Sequence, residues 1–326
     1  MVDLGYDVTA IETEPEWVRK KEKKFFYRLL RKILGPLDLA RVNQQIINNF
    51  RIKGFDIVWL DKGLTVDYKT LKYIKDRYNN AIIVGYSPDD MYRKHNQSRR
   101  FLKHLSLYDI FFTTKSYNVT ELKELGCRNV KFIGNAFDLK AHRPIQVTPE
   151  ERYRLGGPVG FIGSYEKERA LSMWKLAERD IPVRVWGPHW NKCKLSHVNL
   201  RLEKKGLWGE DYAKAICSFD INLCFLRKIN RDLQTTRSIE IPACGAFMLA
   251  ERTDEHLELF EEGKEAEFFS SDEELEEKVR YYLSHPKQRE RIAAAGRERC
   301  LKSGYSNHDR MRAMLNYIHK EFFKSN

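Results

Sequence analysis

The chain has 326 residues, of which 42% are hydrophobic and 32% charged, with a formal net charge of +12; that is enough apolar material for two packed domains. No apolar run approaches the ~18–20 residues that span a bilayer, and the first fifteen residues lack the basic-then-apolar pattern of a secretory leader. Six cysteines, at 127, 193, 217, 224, 244 and 300, show no CxxC spacing, which argues against a zinc site or a disulfide framework and for a reducing, cytoplasmic setting.

The charge is uneven. Residues 1–144 hold 27 Lys+Arg against 17 Asp+Glu, and the remainder 31 against 29. The first part therefore attracts anions, whether a membrane surface, a nucleic acid or an acidic substrate. In chain order, "YDVTAIET" (6–13) reads as a strand. "WVRKKEKKFFYRLLRKILG" (17–35) is a basic amphipathic helix. Phe26, Leu29, Leu30 and Ile33 share one side of it, and Lys20, Lys24, Arg28 and Arg31 take the other. Such a helix either lies on an anionic leaflet or packs on the sheet with its charges in water.

"DIVWLDKG", "AIIVGYSPDD", "DIFFTTK" and "VKFIGNAF" follow as strands, with helical stretches such as "DYKTLKYIKDRY" and "SYNVTELKELG" between them. The rhythm indicates a parallel sheet covered by helices. "DLKAHRPIQVTPEERYRLGG" (138–157) breaks it with prolines and a double glycine and reads as a connection between domains. The rhythm then resumes: strands "PVGFIGSY", "PVRVWGP", "DINLCFL" and "AFMLAE", with helices from "EKERALSMWKLAERD" to a last one at "SNHDRMRAMLNYIHKEFF". The expectation is α/β, two Rossmann-like doubly wound domains: a basic one at 1–145, a second at 146–310, and a terminal helix at 311–326 that crosses back to the first.

Ligands of open α/β sheets sit beyond the carboxyl ends of the strands, so the turns there are the candidate sites. In "RDLQTTRSIEIPACG", Asp232, Thr235, Thr236 and Arg237 precede or begin a helix, and Glu240 lies one turn in. Unpaired N–H groups, hydroxyls and a guanidinium at a helix start suit a phosphate. A carboxylate beside them suits the two hydroxyls of a ribose, and phosphate plus ribose spells a nucleoside diphosphate. The plainer reading is a threonine N-cap with an acid in the first turn.

From these residues on, "TTRSIEIPACGAFMLAE" and the stretch after it resemble the carboxyl-terminal domain of group 1 glycosyltransferases, closest to the spore-maturation, CgeB-like branch. The carrying motif is a pair of acids with seven residues between them, Asp232 and Glu240, followed by small residues at Pro242–Gly245. The resemblance covers roughly residues 155–316. It implies the GT-B fold, two Rossmann-like domains with a nucleotide sugar between them, and it implies that Glu240 binds the ribose while Thr236 and Arg237 lie by the diphosphate.

It also implies roles for other turns. Gly163, Ser164 and Arg169, after "VGFIGSY", are expected across the diphosphate, although a plain turn with a solvated arginine reads as well. Gly187 and the backbone near Trp208 are expected around the base, with Trp208 either stacked on it or in the core. Asp89 and Asp90, in "GYSPDDMYRKH", are expected either to hold sugar hydroxyls or act as a base toward the acceptor, or to cap a helix. The family starts with a βα unit that ends in a segment like "LGYDVTAIE", here at residue 4, so the amino-terminal domain is expected to lack its first βα unit.

The function expected is therefore an NDP-sugar-dependent, hexosyltransferase-type glycosyltransferase. It takes a UDP- or GDP-sugar and passes the sugar to a hydroxyl of a surface polysaccharide or glycolipid. It needs no cofactor and no metal, because helix dipole and cations stabilise the leaving diphosphate. It works in the cytoplasm, with 17–35 as a contact to the inner face of the membrane. The alternative is a GT-B-like protein that binds a sugar nucleotide without transfer. A nucleic-acid binder lacks any recognisable signature here.

Overall fold

The computed structural model describes residues 1–323. The chain divides into two compact units, one made of Met1–Gly134 and the chain from Met311 onward, the other of Asn135–Arg310.

The first unit holds four parallel strands: β1 (Ile57–Asp61), β2 (Ile82–Ser87), β3 (Ile110–Thr113) and β4 (Val130–Phe132), side by side in that order. Alternation along β2 sends Ile83 to one face, into a core with Leu71, Ile74, Phe101 and Phe111. It sends Ile82 and Val84 to the other face, where Met314 and Ile318 of the last helix, Asn307–Phe322, cover them. "YDVTAIET" forms no strand: residues 6–12 are irregular, and β1 is the edge of the sheet. β propensity alone does not make a strand without a hydrogen-bonding neighbour.

The second unit holds six parallel strands: β5 (Gly157–Ile162), β6 (Val183–Trp186), β7 (Leu200–Leu202), β8 (Phe219–Cys224), β9 (Met248–Glu251) and β10 (Glu267–Phe269), in the order β10-β9-β8-β5-β6-β7. Both faces are covered, which is why the central strands read as nearly continuous apolar runs. Val159, Phe161, Val185, Ile221 and Leu223 pack on one side against Ala170 and Met173 of the helix Lys167–Glu178. Ile162, Trp186, Cys224 and Met248 pack on the other against the helices Glu210–Ser218 and Arg237–Ala243.

The stretch 138–157, expected to be a connection, contains the helix Pro149–Leu155. Thr148 caps it, and Glu151 bonds back to the Thr148 N–H, a capping box with proline at the first helical position. Both units are thus parallel-sheet, Rossmann-like α/β domains, as expected.

Candidate functional site

The order of the second sheet contains one reversal. The chain runs from β5 outward through β6 and β7, then returns to lay β8 on the other side of β5. The carboxyl ends of β5 and β8 thus bound the crevice where a doubly wound sheet takes its ligand. Two loops meet there: 163–166, which leads into the helix Lys167–Glu178, and 225–236, which leads into the helix Arg237–Ala243.

Two arginines from those helices lie over one ring. The Arg169 guanidinium carbon is 5.3 Å from the centroid of Phe161, and that of Arg237 is 5.6 Å from the same centroid. Arg169 is 3% exposed and donates to the carbonyls of Leu226 (2.8 Å) and Ser164 (3.3 Å) and to Glu166 (3.1 Å). Arg237 donates to the Phe225 carbonyl at 3.3 Å.

The Nε of each arginine is buried and has no hydrogen-bond acceptor among the described residues. Burial first, and the charge of Arg237 second, push the Arg169 pKa down to about 10. Two like charges held together with unmet donors make a site suited to an anion of more than one charge. The nearby carboxylate Glu166 is already shared between Arg169 and Arg227.

The second helix explains the acid. Arg237–Ala243 is two turns long, and Gly245, at φ 70°, stops it. Thr236 stands at its N-cap in helical backbone geometry, and its hydroxyl does not cap. The expected threonine cap is therefore absent; Ser238 Oγ instead reaches back to accept from the Thr235 N–H, ahead of the helix, at 3.0 Å. Ser238 Oγ is also 2.7 Å from His256 Nε2, and His256 Nδ1 is 2.6 Å from the Glu251 carbonyl. A carbonyl only accepts, so Nδ1 carries the proton and Ser238 donates to Nε2. Burial pushes His256 down to about 4, so the imidazole is neutral. This buried relay fixes the start of the helix to the end of β9. With so few turns behind it the helix dipole is small, and the positive charge here comes mainly from the two guanidinium groups.

Glu240 is one turn in from Arg237. Tyr212 donates its hydroxyl to Glu240 Oε2 at 2.5 Å, and His142 Nε2 lies 3.8 Å from Oε1. Burial, and then the charge of Glu240, push the Tyr212 pKa well up, so it remains a donor. His142 Nδ1 accepts from the Asp138 N–H at 3.0 Å, which directs the Nε2 hydrogen to the Glu240 side. The carboxylate is oriented and retains lone pairs for a further donor. Asp232, the first acid of the pair, is buried, and its backbone N–H bonds to the Arg227 carbonyl at 3.1 Å.

Among the residues expected around a base, Gly187 has φ 147°, and a Cβ there would come within 1.9 Å of the Gly163 carbonyl oxygen. The turns after β5 and β6 therefore touch backbone to backbone, and Gly187 is needed for that approach, while a Cβ at Gly163 would meet the Phe161 ring at 2.6 Å. Trp208 is 83% exposed, which rules out the core reading and leaves its ring face open.

In the first unit the two acids separate. Asp90 is fully buried and accepts from Asn118 Nδ2 at 2.9 Å and from the Tyr92 N–H at 3.1 Å, so it holds the turn after β2 together. Asp89 is partly exposed and pairs with Lys62, at the end of the neighbouring strand β1. Asp90 is thus engaged in the turn, as a capping role asks, while the Asp89 carboxylate is partly open.

Several residues that shape the site do not stand out in the sequence: Phe161, Glu166, His142, Tyr212, Ser238 and His256. His142 sits in the supposed connection, and Phe161 looks like any strand residue. Only Tyr212 carried a signal, as an aromatic in the first turn of a helix that follows a strand end.

Residues 167–316 match a protein family described as glycosyl transferase-like. No curated protein matches the chain. Among solved structures, the chain is similar to sucrose-phosphate synthase from Thermosynechococcus elongatus, at 12% identity and TM-score 0.61, covering 88% of this chain and 79% of that one. It is similar to the Anabaena protein HepE, solved with UDP-glucose, at 12% identity and TM-score 0.59, covering 92% and 90%. It is similar to a glycosyltransferase from Rickettsia africae ESF-5, at 15% identity and TM-score 0.62, covering 96% and 89%. The two parallel-sheet units are those of the GT-B glycosyltransferase fold.

Proposed function

We propose that this chain is a glycosyltransferase, of the group 1, CgeB-like kind, that takes a hexosyl group from a UDP- or GDP-sugar. The acceptor is a hydroxyl of a surface polysaccharide or glycolipid, reached from the cytoplasmic face of the membrane. The observation that carries this is the pair Arg169 and Arg237 over Phe161, with both Nε groups unmet, at the reversal of the second sheet. A diphosphate bridges the two guanidinium groups and relieves their repulsion. Glu240, oriented by Tyr212 and His142, accepts from the ribose hydroxyls. Thr235 and Thr236 add hydroxyls to the phosphate side, and Ser164, Gly163 and Gly187 let its other side approach the backbone. Trp208 offers its exposed face to the base.

In transfer, negative charge grows on the leaving diphosphate as the anomeric bond breaks. Two fixed cations whose mutual repulsion falls at that moment stabilise the transition state more than the bound ground state. The mechanism therefore uses no metal ion. Asp89 holds a sugar hydroxyl or takes the acceptor proton.

A second reading, binding without transfer, is favoured by the irregular segment 6–12 and the four-strand first sheet. Calorimetry with UDP- and GDP-sugars, followed by a donor-consumption assay, separates the two. Binding with turnover supports transfer, binding without turnover supports the second reading, and no binding removes both.

A further inference from the structure

The segment 16–34 forms two helices, Glu16–Glu22 and Phe25–Leu34. The first is anchored, with Val18 1% exposed. The second buries no residue. Its wheel places Phe26, Leu29, Leu30 and Ile33 at the centre of one face with Phe25 and Leu34 at its margins, and Arg28, Arg31 and Lys32 opposite. Phe25 is 82% exposed, Phe26 63% and Ile33 63%. A packed amphipathic helix turns such a face inward, and this one turns it to solvent.

The charge around it is one-sided. Residues 17–35 contain Arg19, Lys20, Lys21, Lys23, Lys24, Arg28, Arg31 and Lys32 against the single acid Glu22. Glu22 pairs with Arg31, and Lys23, Lys24, Arg28 and Lys32 make no ion pair among the described residues. Trp17, half exposed, sits beside them under Lys21.

We infer that this helix pair is a membrane-docking surface whose occupant is an anionic lipid bilayer. Phe25, Phe26, Leu29, Ile33 and Leu34 enter the acyl boundary, while Lys23, Lys24, Arg28 and Lys32 meet the headgroup phosphates. Charge complementarity selects a bilayer over a second copy of the chain, because the eight cations against one acid in residues 17–35 are neutralised by an anionic leaflet and not by a like-charged copy. The surface gives the proposed enzyme its access to a lipid-borne acceptor, and in that purpose alone it rests on the reading above.

The test is cosedimentation of the full chain with vesicles of phosphatidylcholine containing phosphatidylglycerol, and with phosphatidylcholine alone, at low salt. Binding to the anionic vesicles is expected to exceed binding to the neutral ones by at least tenfold and to fall with salt. The double variant Phe26→Glu/Ile33→Glu is expected to lose it at least tenfold. Arg28→Gln/Lys32→Gln is expected to lose about fivefold per charge. Both variants change exposed residues and should keep wild-type nucleotide affinity, so a failed donor site and a failed docking surface give different results. Wild-type protein that ignores anionic vesicles overturns the inference, as does binding that both variants retain. A concentration-dependent dimer in sedimentation equilibrium that Phe26→Glu abolishes overturns it too, in favour of a second copy.

Discussion

The Tyr212 hydroxyl donates to Glu240 Oε2 at 2.5 Å, from a helix that precedes β8 to the helix that follows it. The carboxylate is thus oriented before any ligand arrives, which lowers the cost of ordering it on binding. Glu240→Ala is expected to weaken nucleotide-sugar binding by ~1–3 kcal/mol, the scale for hydrogen bonds to a charged group. Tyr212→Phe, which only frees the carboxylate to turn, is expected to cost about 1 kcal/mol or less. Calorimetry on both variants checks the order; an unchanged affinity for Glu240→Ala removes the ribose role.

Arg237→Met keeps the aliphatic cover on Phe161 and removes the charge that disfavours the protonated form of Arg169. The ligand-free variant is expected to melt at the same temperature as wild type or above it. Its affinity for UDP or GDP is expected to fall at least about tenfold, or ~1.4 kcal/mol. A variant that melts lower and binds equally well would mean that Arg237 serves packing alone.

His256 links pH to the site. Its pKa is lowered from 6.5 to about 4 by burial, so the unfolded chain binds its proton first as pH falls. The stability it contributes is complete above about pH 6.5 and is lost as pH drops toward 4. A shift of this size corresponds to roughly 3 kcal/mol. His104, in the first unit, is lowered to about 4 in the same way. Urea unfolding at pH 7 and pH 4.5 is expected to show the fall, and His256→Gln should reduce it for the second unit only.

Gly187→Ala places a methyl group against the Gly163 carbonyl, at a backbone angle of φ 147°. Strain and overlap together are expected to cost more than about 2 kcal/mol. Thermal melting measures this, and a neutral substitution would mean that the contact between the two turns yields easily.

If the two guanidinium groups carry the leaving-group charge, sugar transfer persists in EDTA. Complete loss that a divalent metal restores would show that a metal ion supplies the charge instead.

The sequence by itself determined the architecture, because the information is local. Alternating apolar runs and helical spacing announce a doubly wound parallel sheet, and Gly245 after Cys244 ends a helix wherever that helix packs. The seven-residue interval between Asp232 and Glu240 likewise lies within one loop and one helix. Only the tertiary structure decided what depends on distant neighbours. It put Arg169 and Arg237 over one phenylalanine from a third element, and His142 and Tyr212 beside Glu240. It buried Asp90 and left Asp89 partly open, and it bared Trp208. It denied residues 6–12 a strand, since a strand exists only with a partner, and it left the apolar face of 25–34 uncovered. Propensity is a property of a segment, but burial, pairing and the meeting of charges belong to the folded chain.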